Sequence, residues 1–466
     1  MNENLMYRQK NGFDLLSKEE RRSMEDYCSR YMFFMDRAKT EREAVTETIR
    51  IAEEQGFKAF YPGMPVQPGD RIYANNRNKL ICFAVIGSEP LDKGCHITAA
   101  HSDSPRLDLK PNPLCEDSEF AYLKTHYYGG IKKYQWVTLP LAIHGVVVRK
   151  DGTKVDVVLG EADEDPVFCI TDLLPHLAQD QMTKTAAKVI EGEALNLLIG
   201  SRPQEDTEKN AVQARMLALL AERFGIEEED FLSAELEIVP AGRARDMGLD
   251  RSMILGYGHD DRCCAYPSLR ALIDYEGIPQ YTLCCVLTDK EEIGSVGASG
   301  MGSRYFENVT AEVLSAAGQY SDLALRRTLA NSRMLSSDVS AAYDPEFAEA
   351  FEKKNAAYLG RGVCFNKYTG SRGKSGSSDA NAEFMAEVRR IYDDAGVAFQ
   401  TAELGRVDLG GGGTIAYLCA KYGMNVIDAG LAVLSMHAPW EIISKVDLYE
   451  GYRGYCAFLE GARPIE

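Results

Sequence analysis

The chain has 466 residues and no uninterrupted apolar run near the roughly 18 residues that a membrane-crossing helix needs, so no transmembrane segment is expected. Its first twenty residues, MNENLMYRQKNGFDLLSKEE, hold no apolar core, so no secretory signal is expected either. There is no CxxC among the twelve cysteines, two pairs of which are adjacent, Cys263-Cys264 and Cys284-Cys285. That spacing argues against a zinc ribbon or a disulfide framework and suits a reducing cytoplasm. A basic footprint is missing too: the net charge is −18, which speaks against nucleic acid as a partner. Histidine is scarce, at seven, and neither an internal repeat nor a low-complexity tract is present.

What remains is an ordinary globular balance, 45% hydrophobic and 26% charged. The length exceeds what one core supports, so two domains are expected. Thr40-Glu41-Arg42-Glu43 forms a capping-box pattern before a helical run to Gly56. Lys79 to Ala100 reads as two short strands, the second running into His101. Between Leu109 and Arg245 the character changes. "WVTLPLAIHGVVV" and "KVDVVLG" flank the Asp151-Gly152 turn signal and predict a hairpin, and Ala211 to Phe224 reads as a helix. This stretch is expected to be an inserted domain. After Asp246, apolar strands such as "YTLCCVLT" and "GMNVIDAG" alternate with helices expected at Arg262–Glu276, Pro345–Lys354 and Asp379–Ala395. The alternation predicts an α/β layered sheet.

Metal-type ligands concentrate in five segments: His101-Ser102-Asp103, His259-Asp260-Asp261, Asp289-Lys290-Glu291-Glu292, Ser337-Asp338 and Met436-His437. Several follow predicted strands, and in open α/β sheets sites assemble at the carboxyl ends of strands. Imidazole with carboxylate suits zinc, cobalt or manganese. Two divalent ions need one shared carboxylate and about two private ligands each, and one residue from each of the five segments would supply that set. Such a pair activates water and polarises a carbonyl, as amide hydrolysis requires. Of the adjacent Glu291 and Glu292, one can bind metal while the other acts as general base. Asp103, two residues past His101, shares its face on an extended segment and can hydrogen-bond the imidazole. Taken singly, such carboxylate pairs are usually solvated surface charge, and His96, His126 and His144 read as core or surface residues. His259 stays ambiguous. Gly410 to Gly413 lacks the GK[ST] of a phosphate loop and reads as a pocket-lining loop.

"HSDSPRLDLKP" from His101, "DKEEIGS" from Asp289 and "MHAPWE" from Met436 resemble signature segments of the aspartyl aminopeptidases. Tyr128–Gly130 followed by Trp136, "PHLA" at Pro175–Ala178 and "GGGTIA" at Gly411–Ala416 match in the same order, so the resemblance covers nearly the whole chain. It implies an α/β/α mixed-sheet metallopeptidase domain, residues 1–108 and 246–466, interrupted by a β-rich dimerisation domain, residues 109–245. It implies a homo-oligomer in which dimers build a twelve-subunit shell. It also implies removal of N-terminal Asp or Glu from peptides. Carried over residue by residue, His101 and Asp338 hold one ion and Glu292 and His437 the other, with Asp260 bridging. Glu291 becomes the general acid and base, and Asp103 the residue that steers the site. Two departures stand out. The usual Asp-Asn pair is Asp260-Asp261, and VSAAYDP after Asp338 lacks the histidine of many relatives.

An acidic substrate needs positive charge in an acidic chain. From Lys353 to Ser378 there is no Asp or Glu but six cations, Lys353, Lys354, Arg361, Lys367, Arg372 and Lys374. The resemblance places a lysine that reads the substrate carboxylate here, best matched by Lys367. It matches His176 to a histidine that enters the neighbouring subunit's site. Two other readings stay open: a related two-metal hydrolase acting on neutral N-terminal residues or acyl-amino acids, and a non-catalytic assembly protein on a peptidase fold.

Overall fold

The computed structural model describes residues 5–7 and 9–461. The chain divides into two compact units, Met1–Asp103 with Ala244–Met436 and Glu441–Glu466, and Ser104–Arg243 with His437–Trp440.

The first unit is built on a nine-stranded mixed sheet. Its strands are β1 (Lys58–Ala59), β2 (Arg71–Asn76), β3 (Leu80–Val85), β4 (Cys95–His101), β5 (Thr282–Thr288), β6 (Arg333–Ser336), β7 (Val363–Asn366), β8 (Phe399–Thr401) and β9 (Asn425–Gly430). They lie in the order β1-β2-β3-β5-β4-β6-β9-β7-β8. The central four, β5, β4, β6 and β9, run parallel. Antiparallel neighbours flank them, β3 beside β5 and β7 beside β9. Because strand side chains alternate, the sheet feeds two cores. Ile81, Phe83 and Val85 of β3 and Cys285 and Leu287 of β5 join one core with the helices Lys18–Arg37, Glu41–Glu54, His259–Ile273, Ala382–Asp394 and Lys445–Gly461. Leu80 and Cys82 of β3 and Val286 of β5 join the other with Tyr305–Ala316 and Asp322–Asn331. The result is an α/β/α sandwich, as the alternation of elements predicts.

Local signals carry through. Thr40 and Glu43 form the capping box of Glu41–Glu54, and Ser17 with Glu20 does the same for Lys18–Arg37. The helix expected over Pro345–Lys354 is instead a 3-10 stretch, Pro345–Ala350, broken at Phe347 (φ −128°). So short a segment with no buried side chain has nothing to hold further turns. The adjacent cysteines are core residues, Cys263, Cys264 and Cys285 being fully buried, and all twelve cysteines are free thiols. No described helix is long and apolar enough to cross a membrane.

The second unit is a six-stranded antiparallel sheet in the order Lys154–Leu159, Leu141–Val148, Ala234–Pro240, Arg106–Asp117, Phe120–Tyr128, Leu197–Gly200. The first two strands are the predicted hairpin, turning at Asp151-Gly152 with Gly152 at φ 88°. The helix Ala211–Phe224 ends on Gly225 in the left-handed region, a role suited to glycine.

Candidate metal centre

Parallel strand direction decides which segments meet. β4 ends at His101, β5 at Thr288 just before Asp289–Glu292, and β6 at Ser336 just before Asp338. Since β4 lies between β5 and β6, all three segments emerge side by side at one edge of the sheet. Glycine is required beside them. A side-chain carbon on Gly430, the last residue of β9, would collide with the Asp338 carbonyl, so only glycine lets that loop pass.

His101 is the hub. Its Nε2 lies 3.1 Å from Oδ1 of Asp260 and 4.0 Å from Oε2 of Glu291. Its Nδ1 is 3.0 Å from the Asp103 main-chain carbonyl and 3.4 Å from Oδ1 of Asp103. This selects the tautomer that donates from Nδ1 and leaves Nε2 free to ligate. Asp103, fully buried, also accepts from the main-chain N–H of Glu291 (3.2 Å, on Oδ1) and of Glu292 (3.3 Å, on Oδ2). It therefore holds the short 3-10 turn Glu291–Ile293, which enters through Lys290 at φ 68°.

Asp260 and Asp261 open the His259–Ile273 helix with non-helical backbone, at φ −76°, ψ 107° and φ −113°, ψ 22°. The Asp260 N–H donates to Oε2 of Glu441 at 3.0 Å, and the Asp261 carboxylate accepts from the His101 N–H at 3.2 Å. Ligand atoms of His101, Asp260 and Glu292 all lie within 4.8 Å of one another, as do those of His101, Asp261 and Asp338. One buried imidazole thus faces carboxylates on several sides. Burial disfavours its charged form, but the Asp103 and Asp260 carboxylates hold its pKa well above the usual histidine range. Burial pushes the Asp261 carboxyl well up, with the charges of Asp338 and Asp260 adding to it. Buried Asp428, on β9, is pushed up to about 7 in the same way, Asp338 again contributing. Clustered carboxylates of this kind call for cations, and the mixture of imidazole and carboxylate fits zinc, cobalt or manganese. The residues present therefore fit a metal centre.

His437 belongs to the second unit, where its Nδ1 lies 2.8 Å from the Gly130 carbonyl. His176 is exposed in a turn of the second unit. Lys367 follows β7 and is not a free cation. Its Nζ lies 2.6 Å from Asp379, which stands one residue past the acid-free window and also holds Lys374 at 3.4 Å. His96 and His144 are buried, bonded to the Leu459 carbonyl and to Glu161 respectively, while His126 is exposed. His259 is buried against Tyr31, 2.7 Å from its hydroxyl, and burial lowers its pKa to about 3, so it is a neutral bonding partner. Residue-by-residue reading missed Tyr31, Arg262 and Glu441. Glu441 alone carried a signal, as the last residue of MHAPWE.

A family model for aminopeptidase I zinc metalloproteases (M18) matches residues 34–459. A probable M18 family aminopeptidase 1 of Clostridium acetobutylicum is 56% identical over 98% of this chain and 100% of its own. The crystal structure of an M18-family aminopeptidase from Thermotoga maritima superposes with a TM-score of 0.93 at 44% identity, covering 98% of this chain and 100% of that one. An aspartyl aminopeptidase of Caenorhabditis elegans is 26% identical over 92% of this chain and 94% of its own length.

Proposed function

The chain belongs to the M18 aminopeptidase family and is a metallo-aminopeptidase, and from that premise we propose that it removes Asp or Glu from the free N-termini of peptides. The observation that carries the mechanism is the convergence of His101, Asp260 and Glu292 within 4.8 Å, with the Glu291 carboxylate beside them. In this reading His101 and Asp338 would hold one divalent ion and Glu292 and His437 the other, with Asp260 shared between them. His437 is assigned from its MHAPWE motif. When bound, the two ions, zinc by the family's description and cobalt or manganese by the same donor chemistry, supply Lewis acidity for the scissile carbonyl and for water.

The chain's own residues do the rest. Glu291 takes the proton of the attacking water and returns it to the leaving amine. Asp103 keeps Glu291 and Glu292 in register through their main-chain N–H groups. Lys367 binds the substrate's side-chain carboxylate. Its ion pair with Asp379 is about half exposed on both sides, and such pairs contribute about 0.2–1 kcal/mol. A charge-assisted bond to a substrate inside a closed pocket contributes about 1.5–3 kcal/mol, enough to displace it. The name of the Caenorhabditis elegans relative supports the acidic preference. Residues 109–245 form the dimer contact, dimers build a twelve-subunit shell, and His176 reaches the neighbouring site in that assembly.

The Lys367–Asp379 pair also favours a second reading, preference for a neutral N-terminal residue, because Asp379 already neutralises the lysine. A peptide library with free and blocked N-termini separates the two. Acidic residues released only from free N-termini support the proposal, whereas faster release of neutral residues overturns the substrate assignment.

A further inference from the structure

The turn that carries Asp260 is non-helical, so intrahelical hydrogen bonds do not hold it. Besides the Glu441 carboxylate on the Asp260 N–H and the bond between Asp261 and the His101 N–H, two buried contacts from one distant element brace it. Arg262 is fully buried, and its hydrogen-bond partners are main-chain carbonyls. Nε donates to Gly258 at 3.0 Å, Nη2 to Tyr257 at 3.3 Å and Nη1 to Ala38 at 2.6 Å. Its guanidinium carbon also sits 5.1 Å from the centroid of the Tyr257 ring. Among the described residues no carboxylate forms an ion pair with it. Burying a charge without a counter-ion is costly, and an apolar side chain of similar volume would avoid that cost. What the guanidinium adds is a planar fork that binds three carbonyls at once. Ala38 caps the Lys18–Arg37 helix, whose negative dipole end favours a cation there. From the same helix, the Tyr31 hydroxyl is hydrogen-bonded to Nδ1 of His259, and both side chains are fully buried. Residues 257–259 are therefore held at both ends by a single helix, immediately before Asp260.

We propose that Arg262 and Tyr31 are positioning residues of the metal centre: they fix the backbone from which Asp260 projects, and so set its affinity for metal. This rests on the reading of Asp260 as a metal ligand. Arg262→Lys keeps the charge but loses the fork. Tyr31→Phe removes one hydroxyl without changing the packing. Tyr27→Phe is the control, because Tyr27 is buried on the same helix and its hydroxyl has no hydrogen-bond partner among the described residues.

The test strips the full-length protein with a chelator and titrates it with zinc against a chromophoric competitor, with the melting temperature of each metal-free variant recorded in parallel. Tyr31→Phe is expected to raise the zinc Kd about fivefold, as for loss of one hydrogen bond, and Arg262→Lys at least about tenfold. Excess zinc should then restore turnover, and Tyr27→Phe should match wild type. Wild-type zinc affinity in both Tyr31→Phe and Arg262→Lys, with only the melting temperature lowered, overturns the proposal. If Arg262→Lys does not fold, Tyr31→Phe against Tyr27→Phe decides it. Failure of the wild-type protein itself to bind zinc overturns the metal-centre reading instead, a distinguishable result.

Discussion

Asp103→Asn exchanges one carboxylate oxygen for an NH2 group at nearly constant shape. In the wild type the two oxygens accept separately, Oδ1 from the Glu291 N–H at 3.2 Å and Oδ2 from the Glu292 N–H at 3.3 Å. Asparagine keeps one acceptor, so one main-chain N–H is left facing another donor. Leaving such a half-buried N–H without an acceptor costs up to about 1–3 kcal/mol. That strain falls on the turn that aims Glu291 and Glu292. His101 is spared, because its Nδ1 is also tethered by the Asp103 main-chain carbonyl at 3.0 Å, which the substitution leaves in place. Metal content should therefore stay close to wild type while turnover falls. At roughly 1.4 kcal/mol per tenfold, the loss in kcat is about five- to 150-fold. The assay is steady-state hydrolysis of a chromogenic aspartyl substrate, run beside elemental analysis of the same preparation. Wild-type kcat at full metal content would refute the positioning role of Asp103. Activity lost only in proportion to metal would show that Asp103 serves His101 instead.

Glu291→Gln should retain fold and metal but lose about 10²–10⁴ in rate, the usual cost of removing a general acid and base; near-normal turnover at full metal content counts against the mechanism. Asp260→Asn should deplete metal more than His437→Ala, because in the proposed assignment it would hold both ions; if both ions persist, Asp261, which already stands with His101 and Asp338, becomes the candidate for the shared ligand. Lys367→Ala should slow acidic substrates about ten- to a hundredfold and leave neutral ones nearly unchanged, and equal losses on both would mean that Lys367 only shapes its loop. Gly430→Ala should destabilise the first unit by about 1–3 kcal/mol in denaturant unfolding, since an added methyl meets the Asp338 carbonyl, and an unchanged midpoint would show that the loop gives way at no cost.

The sequence by itself determined the local elements and their chemistry. Capping boxes at Thr40 and Ser17, the Asp151-Gly152 hairpin and the apolar strands ending at His101 and Thr288 follow from contacts between residues a few positions apart. Their patterns are therefore written in short windows, and the ligand types at strand ends could be read beside them. The same windows overstated the helix at Pro345, because propensity without a buried face does not sustain one. Tertiary structure alone decided which segments become neighbours. β5 and β6 flank β4 although they follow it by well over a hundred residues, and that order brings Glu291, Glu292 and Asp338 to His101. It also decided that Asp379 neutralises Lys367, and that Tyr31 and Ala38 brace a turn more than two hundred residues away. The bracing contacts, from Tyr31 and from Arg262 to Ala38, are made by single side chains buried across the core. A lone tyrosine or arginine carries no periodic pattern to announce its partner, so packing has to choose it.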